Sequence, residues 1–374
     1  MVATLRVVLD QLVAPTDADV AEASRELAKA LVIGAPSGCE VEAIVPSGGA
    51  EVDGVPGLSG VRRAALPRRE LATALQLGVG TGIGGGMIHS PSLFAPLVRH
   101  DRVHDNDQTV VTVWDLRPWE SPDELGRGVA AWHRAMLKRA VKHADAVVVP
   151  AHALSVRLAE IAPKLKDRIR VIAGASPLGF AVPTDEVGRR RELDLPEGFI
   201  LLAGGPMPSE GLEAGLGAVA ASGTDLPVVV IDVEEGHEPA VTDIGAAAGV
   251  AEHRLHVRGR LSPADRAAVY GAAVAFVAPS RRAAFPWRLV DALTLGVPVI
   301  ASDSAVHREI VVDGGVLVEG ADAAALAPAL GDALRDALGS TSAADRLAVL
   351  SGDRGRSFSW REAADKVWLL HAEI

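Results

Sequence analysis

Short apolar runs rich in Val, Ile and Leu alternate along the chain with longer Ala-rich stretches whose apolar positions recur every three or four residues. In the first half the runs are LRVVLD, EVEAIV, GMIHS, TVVTVWD, DAVVVP and RIRVIA; in the second they are FILLAG, PVVVID, LHVRG, VAFVAPS, PVIAS and GVLVE. Such runs, apolar at successive positions and separated by helix-length segments, predict parallel strands buried on both faces and linked as βαβ units. The rhythm occurs twice. Between the halves lies ASPLGFAVPTDEVGRRRELDLPEG, where prolines and a charged cluster predict a domain boundary near residue 180. The expected fold class is therefore α/β, with two doubly wound domains, residues 1–180 and 181–355, and a cleft between them.

Helical periodicity places Val20, Ala23, Leu27, Ala30 and Leu31 on one face of a helix over 18–32. A second helix is predicted in ADAAALAPALGDALRDAL, after Glu319. In the closing segment SFSWREAADKVWLLH, Trp360, Ala364, Val367 and Trp368 share a face, so the helix of residues 356–374 must bury two Trp. It is expected to cross back and pack on the first domain.

Composition narrows the function classes. The 374 residues carry 37 Lys plus Arg against 48 Asp plus Glu, a net charge of −11, which leaves no basic footprint for nucleic acid. Aromatic residues are 3% of the chain, too few for base-stacking platforms. The single Cys39 excludes an intrachain disulfide framework and a Cys-based zinc site. No run approaches the roughly 18 apolar residues of a membrane span, and MVATLRVVLDQL lacks the features of a signal peptide. A cytoplasmic protein without a transmembrane segment is the expectation.

Among the chemical motifs, Gly80, Gly82 and Gly85 satisfy G-x-G-x-x-G, yet they run into the strand-like MIHS instead of opening a helix, so a loop lining the cleft is expected in place of a dinucleotide site. His89 and Ser90 at the end of that strand are candidate acceptor contacts. His100 and His104 give one H-x-x-x-H in a charged loop. With no H-E-x-x-H and no G-x-S-x-G, neither a metal centre nor a serine nucleophile is expected.

The stretch PSRRAAFPWRLVDALTLGVPVIASD, from Pro279 to Asp303, resembles the segment P-S-x-x-E-G-F-G-x-P-x-x-E-A-x-x-x-G-x-P-V-x-x-S-D of the retaining nucleotide-sugar glycosyltransferases of family four, group 1. RGRLSPADRAAVYGAAVAFVAPS, TVVTVWDLRPWESPDE, HADAVVVPAHALSVRLAE and the terminal FSWREAA match other parts of that family in order and spacing. The resemblance implies the GT-B fold: two Rossmann-like domains, the first on the acceptor side, the second on the nucleotide-sugar side, and a C-terminal crossover helix. It also implies a UDP- or GDP-linked sugar as substrate, no other cofactor, and a glycan or small-molecule acceptor.

Carried over position by position, the family's donor side falls on Gly204, Gly205, Glu210, Arg260, Leu261, Ala283, Ala284, Phe285, Pro286 and Asp291. The family's two donor-side Glu fall on Ala283 and Asp291, so Asp291 is the candidate ribose contact. Its diphosphate-neutralising Arg and Lys fall on Gly205 and Glu210. Its Gly-Phe-Gly, which offers backbone N–H groups at a helix start, reads Ala284-Phe285-Pro286. On the acceptor side its T-x-H-D places Trp114 where the family has His, followed by Asp115. The usual Gly-rich turn after the first strand is replaced by APTDADVAEAS. Arg281, Arg282 and Arg288 are candidate compensating cations.

Preorganised cations at a departing diphosphate act on the transition state itself. Charge-assisted hydrogen bonds contribute about 1.5–3 kcal/mol each, so losing two lowers rate or affinity by roughly 10²–10⁴. The expectation is a glycosyltransferase homologue of glycan assembly with a remodelled donor site, weak or inactive as a conventional transferase. It would associate with itself or with a catalytically intact homologue, with Trp114 and Trp119 either candidate exposed anchors of that contact or packed inside the cleft wall. An active retaining hexosyltransferase and a small-molecule sensor stay open as alternatives.

Overall fold

The computed structural model describes residues 2–49, 51–101 and 104–374. The chain divides into two compact units. The first comprises Met1–Leu178, Ala283–Phe285 and Ser359–Ile374; the second comprises Gly179–Arg282 and Pro286–Phe358.

The first unit is built on a parallel sheet of β1 (Ala3–Val8), β2 (Cys39–Val45), β3 (Gly60–Arg63), β4 (Met87–Ser90), β5 (Gln108–Thr112), β6 (Ala146–Val149) and β7 (Ile169–Val171), in the order β3-β2-β1-β4-β5-β6-β7. In register, Leu5 lies opposite Val41 on one side and Met87 on the other. Every residue of β5 and β6 is buried, as a strand covered on both faces requires. β3 was not expected: its sequence GVRR alternates half-buried and exposed positions, because it is an edge strand.

Helix Ala18–Ile33 starts where the Asp17 carboxylate accepts from the N–H groups of Asp19 and Val20, both at 3.0 Å. Its apolar face buries Ala23, Leu27, Ala30 and Leu31. The terminal helix Trp360–Glu373 packs on it, burying both Trp360 and Trp368, and the Trp368 indole donates to the Leu31 carbonyl at 3.2 Å. A polar clamp adds to this apolar contact. Gln108 Nε2 donates to the carbonyls of His371 (3.1 Å) and Ile374 (3.0 Å), and His371 Nδ1 lies 2.8 Å from Gln108 Oε1.

The second unit is a parallel sheet of β8 (Phe199–Ala203), β9 (Val228–Ile231), β10 (Leu255–Val257), β11 (Ala273–Ala278), β12 (Val299–Ser302) and β13 (Val316–Val318), in the order β10-β9-β8-β11-β12-β13. Its core gathers Ile200, Leu202, Leu216, Val219, Val230, Leu330 and Leu334. Helix Leu212–Ser222 packs closely on helix Ala323–Leu338 because Gly331 has no side chain. A Cβ there would lie 2.8 Å from the Ala218 carbonyl oxygen. Helix Thr341–Gly355, largely polar, completes the unit and was not expected from periodicity.

Both sheets are doubly wound, so each has one place where the strand order reverses: between β1 and β4 in the first unit and between β8 and β11 in the second. The crevice outside the carboxyl ends of such a strand pair is where open α/β sheets bind ligands.

Candidate functional site

In the second unit the turn after β8 reads GGPMPSEG and closes tightly. Gly204 has φ +118° and Gly211 φ +74°; a Cβ on Gly211 would come 2.9 Å from the Pro279 carbonyl oxygen at the end of β11. Ser280 Oγ donates to the Ser209 carbonyl at 2.9 Å, and Ser302 Oγ donates to the Ser280 carbonyl at 2.6 Å. The loops following β8, β11 and β12 are thus laced together. Across them Glu210 and Arg282 form an ion pair between Oε1 and Nη1. Arg282, one of the candidate compensating cations, is thus paired with Glu210 itself.

Asp291, the expected ribose contact, lies on helix Trp287–Thr294 and is buried. Its Oδ2 sits 2.8 Å from Nε of Arg266, which is 0% exposed, and 3.2 Å from Nη1 of Arg288. Arg288 Nε in turn pairs with Oδ2 of Asp232, directly after β9. Asp232 adopts φ +63°, a left-handed conformation that Asp tolerates better than most residues. Tyr270 donates its hydroxyl to the Arg288 carbonyl at 2.7 Å, and burial, then the Asp291 charge, hold that phenol far above its ordinary range.

Removing one partner of a buried ion pair costs about 3–5 kcal/mol, well above the ~1.5–3 kcal/mol of a charge-assisted hydrogen bond to a ligand hydroxyl. The geometry therefore places Asp291 as a brace between two helices and, through Arg288, β9. Arg288 is likewise buried in this quartet of two Arg and two Asp, and not a cation on a solvated rim. Arg281 is exposed, and its Nη1 donates to the carbonyls of Gly320 (2.9 Å) and Ala321 (3.1 Å). Arg260 is exposed after β10, and Leu261 is buried just before helix Pro263–Ala272.

Residues Ala283, Ala284 and Phe285 fold with the first unit. Leu116 N–H donates to the Ala283 carbonyl and Phe285 N–H to the Trp114 carbonyl, both at 2.9 Å, around an antiparallel bridge of Asp115 and Ala284. The Phe285 N–H is thereby already used in a backbone bond, while Pro286 has none to give. The Trp114 ring packs 5.9 Å from that of Phe285, and its Nε1 donates to the Pro91 carbonyl at 2.8 Å. Trp114 is buried and Trp119 half-buried, so of the two readings the packed one holds for Trp114.

In the first unit His89 is buried in β4, its Nδ1 3.4 Å from His371 Nε2 of the terminal helix. Burial, then the neighbouring His371, push its imidazole well below the usual range, so it is neutral. Ser90 Oγ donates to the Phe94 carbonyl at 3.0 Å and closes the turn after the strand. Both side chains are buried, His89 at 1% and Ser90 at 0% exposure. Asp115 pairs with Arg117 at 2.5 Å. Gly80, Gly82 and Gly85 precede β4 and so lie toward its amino end.

Sequence reasoning missed Asp10, which follows β1 at the switch point of the first unit. It is buried, with Oδ2 2.9 Å from Arg68 Nη2 and 3.0 Å from Gln11 Nε2. Burial outweighs Arg68 and raises its carboxyl to about 6. The one legible signal was its position, an acidic residue at the carboxyl end of a first apolar strand. His100 pairs with Asp145 at 2.8 Å and His104 with Asp101 at 2.8 Å. Among the described residues no group of His, Cys, Asp and Glu could hold a metal ion, and no helix is long and apolar enough to cross a membrane.

Comparison with known proteins agrees with the fold and its second unit. Residues 236–336 match the family described as "Glycosyl transferases group 1". A phosphatidyl-myo-inositol mannosyltransferase of Mycobacterium leprae (strain TN) is 30% identical over 131 residues, 34% of this chain and 34% of that protein, so the match spans about a third of the relative's length. Sucrose-phosphate synthase from Thermosynechococcus elongatus superposes with TM-score 0.71 at 19% identity, over 99% of this chain and 98% of that one. Anabaena Alr3699/HepE, solved in complex with UDP and glucose, gives TM-score 0.70 at 16% identity over 100% of both chains. Residues 236–336 thus match the group 1 glycosyltransferase family, and the chain as a whole has the GT-B fold.

Proposed function

We propose that the protein works in glycan assembly as a group 1 homologue with a remodelled nucleotide-sugar side, weak or inactive as a conventional transferase. One observation supports this reading above the others: Arg266, Arg282 and Arg288 in the second unit are each paired with a carboxylate, while Arg281 donates to backbone carbonyls. Arg282 pairs with Glu210, and Arg288 and Arg266 with Asp232 and Asp291. A donor diphosphate would have to compete with carboxylates for those guanidinium groups, and no Arg or Lys stands at Gly205 or Glu210. Release of nucleoside diphosphate from UDP- and GDP-linked hexoses, with and without glycan acceptors, tests the reading. Turnover near the uncatalysed background supports it; robust release from any ordinary donor sinks it.

The second reading is an active retaining transferase moving a hexose from a UDP- or GDP-linked sugar to a cell-envelope or other glycan acceptor. It draws on the mannosyltransferase relative and on HepE, solved with UDP and glucose. In the same assay it requires turnover that falls when Arg281 or Arg282 is replaced. A partner role beside an intact homologue in the cytoplasm accompanies the first reading and would need a contact surface other than Trp114.

A further inference from the structure

Charge is spread unevenly along this acidic chain. From Glu192 to His253 there are twelve Asp or Glu and no Lys or Arg, whereas from Arg127 to Arg170 there are ten Lys or Arg against three Asp or Glu. The net charge of −11 therefore conceals two regions of opposite sign.

In the first unit, helix Arg127–His143 carries no Asp or Glu. Arg134, Lys138 and Lys142 recur at every fourth position and Arg127 lies two turns before Arg134, so the four share one helix face, and all four are exposed. The row is roughly 23 Å long by helical rise. Like charges at that spacing destabilise a helix, so the row persists against the interest of the fold. Arg168 extends it past the helix end: its Nη2 donates to the Val141 carbonyl at 2.7 Å and to the Lys164 carbonyl at 3.3 Å, which brings the exposed Lys164 beside Lys142. Burial, then Arg139, His100 and Lys142, lower the His143 imidazole, as a positive field does. Among the described residues the lysines in ion pairs are Lys29 and Lys366, on other helices.

In the second unit, β10 and β9 form one edge of the sheet, and helix Glu238–Ala247 lies between them in the chain. Glu234 and Glu235 are exposed in the turn before that helix, Asp243 is exposed on it, and Asp225 and Glu252 are exposed ahead of the two strands. Arg254, the first base after this segment, is held by the carbonyls of Thr224 and Leu226. The edge is acidic at both of its ends.

We infer that these two surfaces fit each other between copies of the chain: the basic face of helix Arg127–His143 in one copy docks on the acidic edge of β9 and β10 in the next. A second copy is the favoured partner because one chain carries both halves of the charge complement. The contact is heterologous, so it repeats and lets the assembly grow. Opposite charges in contact lie well within a screening length and outweigh the repulsion between two net-negative bodies whose other charges are farther apart. Such a contact supplies the surface that association requires and forms whether or not the second unit turns over a donor, so its failure leaves the proposed function untouched.

Sedimentation velocity of the full chain over a concentration series tests this in about 0.01 M and about 1 M salt, where the screening length is roughly 30 Å and 3 Å. The wild type is compared with Lys138→Glu/Lys142→Glu, with Glu234→Lys/Glu235→Lys and with an equimolar mixture of the two, each variant first shown by circular dichroism and thermal unfolding to be folded. The expected result is concentration-dependent association of the wild type that weakens about tenfold or more in high salt. Each variant alone stays monomeric in low salt, and the mixture associates, because each reversed face again meets its complement. Should a reversal fail to fold, Lys138→Gln/Lys142→Gln and Glu234→Gln/Glu235→Gln take its place, each expected to weaken association. A wild type that stays monomeric in low salt overturns the inference, as does association that survives either change. Loss in both variants without recovery in the mixture overturns it too. A monomer that instead binds vesicles of anionic phospholipid, with binding lost in Lys138→Glu/Lys142→Glu, overturns self-association and reassigns the basic face to a lipid surface.

Discussion

Asp291 Oδ2 lies 2.8 Å from Nε of Arg266, a guanidinium with no exposed surface. Two helices of the second unit are thereby joined through a buried charge pair, and Arg288 and Asp232 extend it to the end of β9. If Asp291 is a brace, Asp291→Ala destabilises the second unit by about 3–5 kcal/mol, because two arginines lose a shared buried partner. Urea unfolding followed by circular dichroism measures this. A loss under about 1 kcal/mol would return Asp291 to the ligand-contact role. Replacing both members, as Arg266→Met with Asp291→Leu, costs less than the sum of the single changes.

Trp114 fills the space between Pro91 and Phe285. Trp114→Ala is expected to destabilise the first unit by about 3–5 kcal/mol, and Trp114→Phe, which loses the bond to Pro91 but keeps most of the ring, by about 1 kcal/mol. Light scattering of Trp114→Phe shows the same assembly state as the wild type. A dissociated assembly in that folded variant would restore Trp114 as an interface anchor.

His371 clamps the terminal helix in its neutral form: burial lowers its imidazole to about 4, against an opposing attraction from Asp145. Its folded value lies below the ordinary 6.5, so the unfolded chain binds the proton first. The stability it carries is complete above pH 6.5 and is lost as pH falls toward 4, at about 1 kcal/mol per pH unit. Asp10 runs the other way. Its raised carboxyl, about 6 against 3.8, means stability is lost as pH rises between those values. Denaturation midpoints from pH 7 to pH 4.5 therefore fall less steeply in His371→Gln than in the wild type. Parallel profiles for the two proteins would show that His371 is not the titrating group.

Gly205 faces open space, with nothing within 4 Å of an added Cβ, so the backbone accepts an arginine there. Gly205→Arg with Glu210→Lys removes the carboxylate that holds Arg282 and adds two cations beside it. Nucleoside diphosphate affinity rises by roughly 10²-fold or more, the equivalent of two charge-assisted hydrogen bonds, measured by fluorescence competition. An unchanged affinity in a folded double variant would mean that charge on this loop does not limit binding.

The four central strands of the second unit were legible because burial on both faces leaves an uninterrupted apolar run, as in VVVI of β9, and the half-buried edge strands β10 and β13 through their short apolar LHV and VLV. β3 was not, since an edge strand carrying Arg62 and Arg63 has no such run. The terminal helix announced itself through Trp360 and Trp368 at helical spacing. Site chemistry was less readable, for a physical reason. Glu210 could be seen as an acidic residue in a turn, but its neutralisation depends on Arg282, which reaches it only through the pairing of β8 with β11. The same holds for Asp291, whose partner Arg266 sits on another helix, and for Trp114, buried by Pro91 and Phe285 from distant segments.

We propose that the pairing of Arg266, Arg282 and Arg288 with carboxylates leaves little for a nucleotide sugar. Calorimetric titration of the wild-type protein with UDP, GDP and their hexose derivatives tests it most directly. Dissociation constants near or above about 1 mM, equivalent to roughly 4 kcal/mol of binding, are predicted across the panel; micromolar binding of any one of these ligands would contradict it.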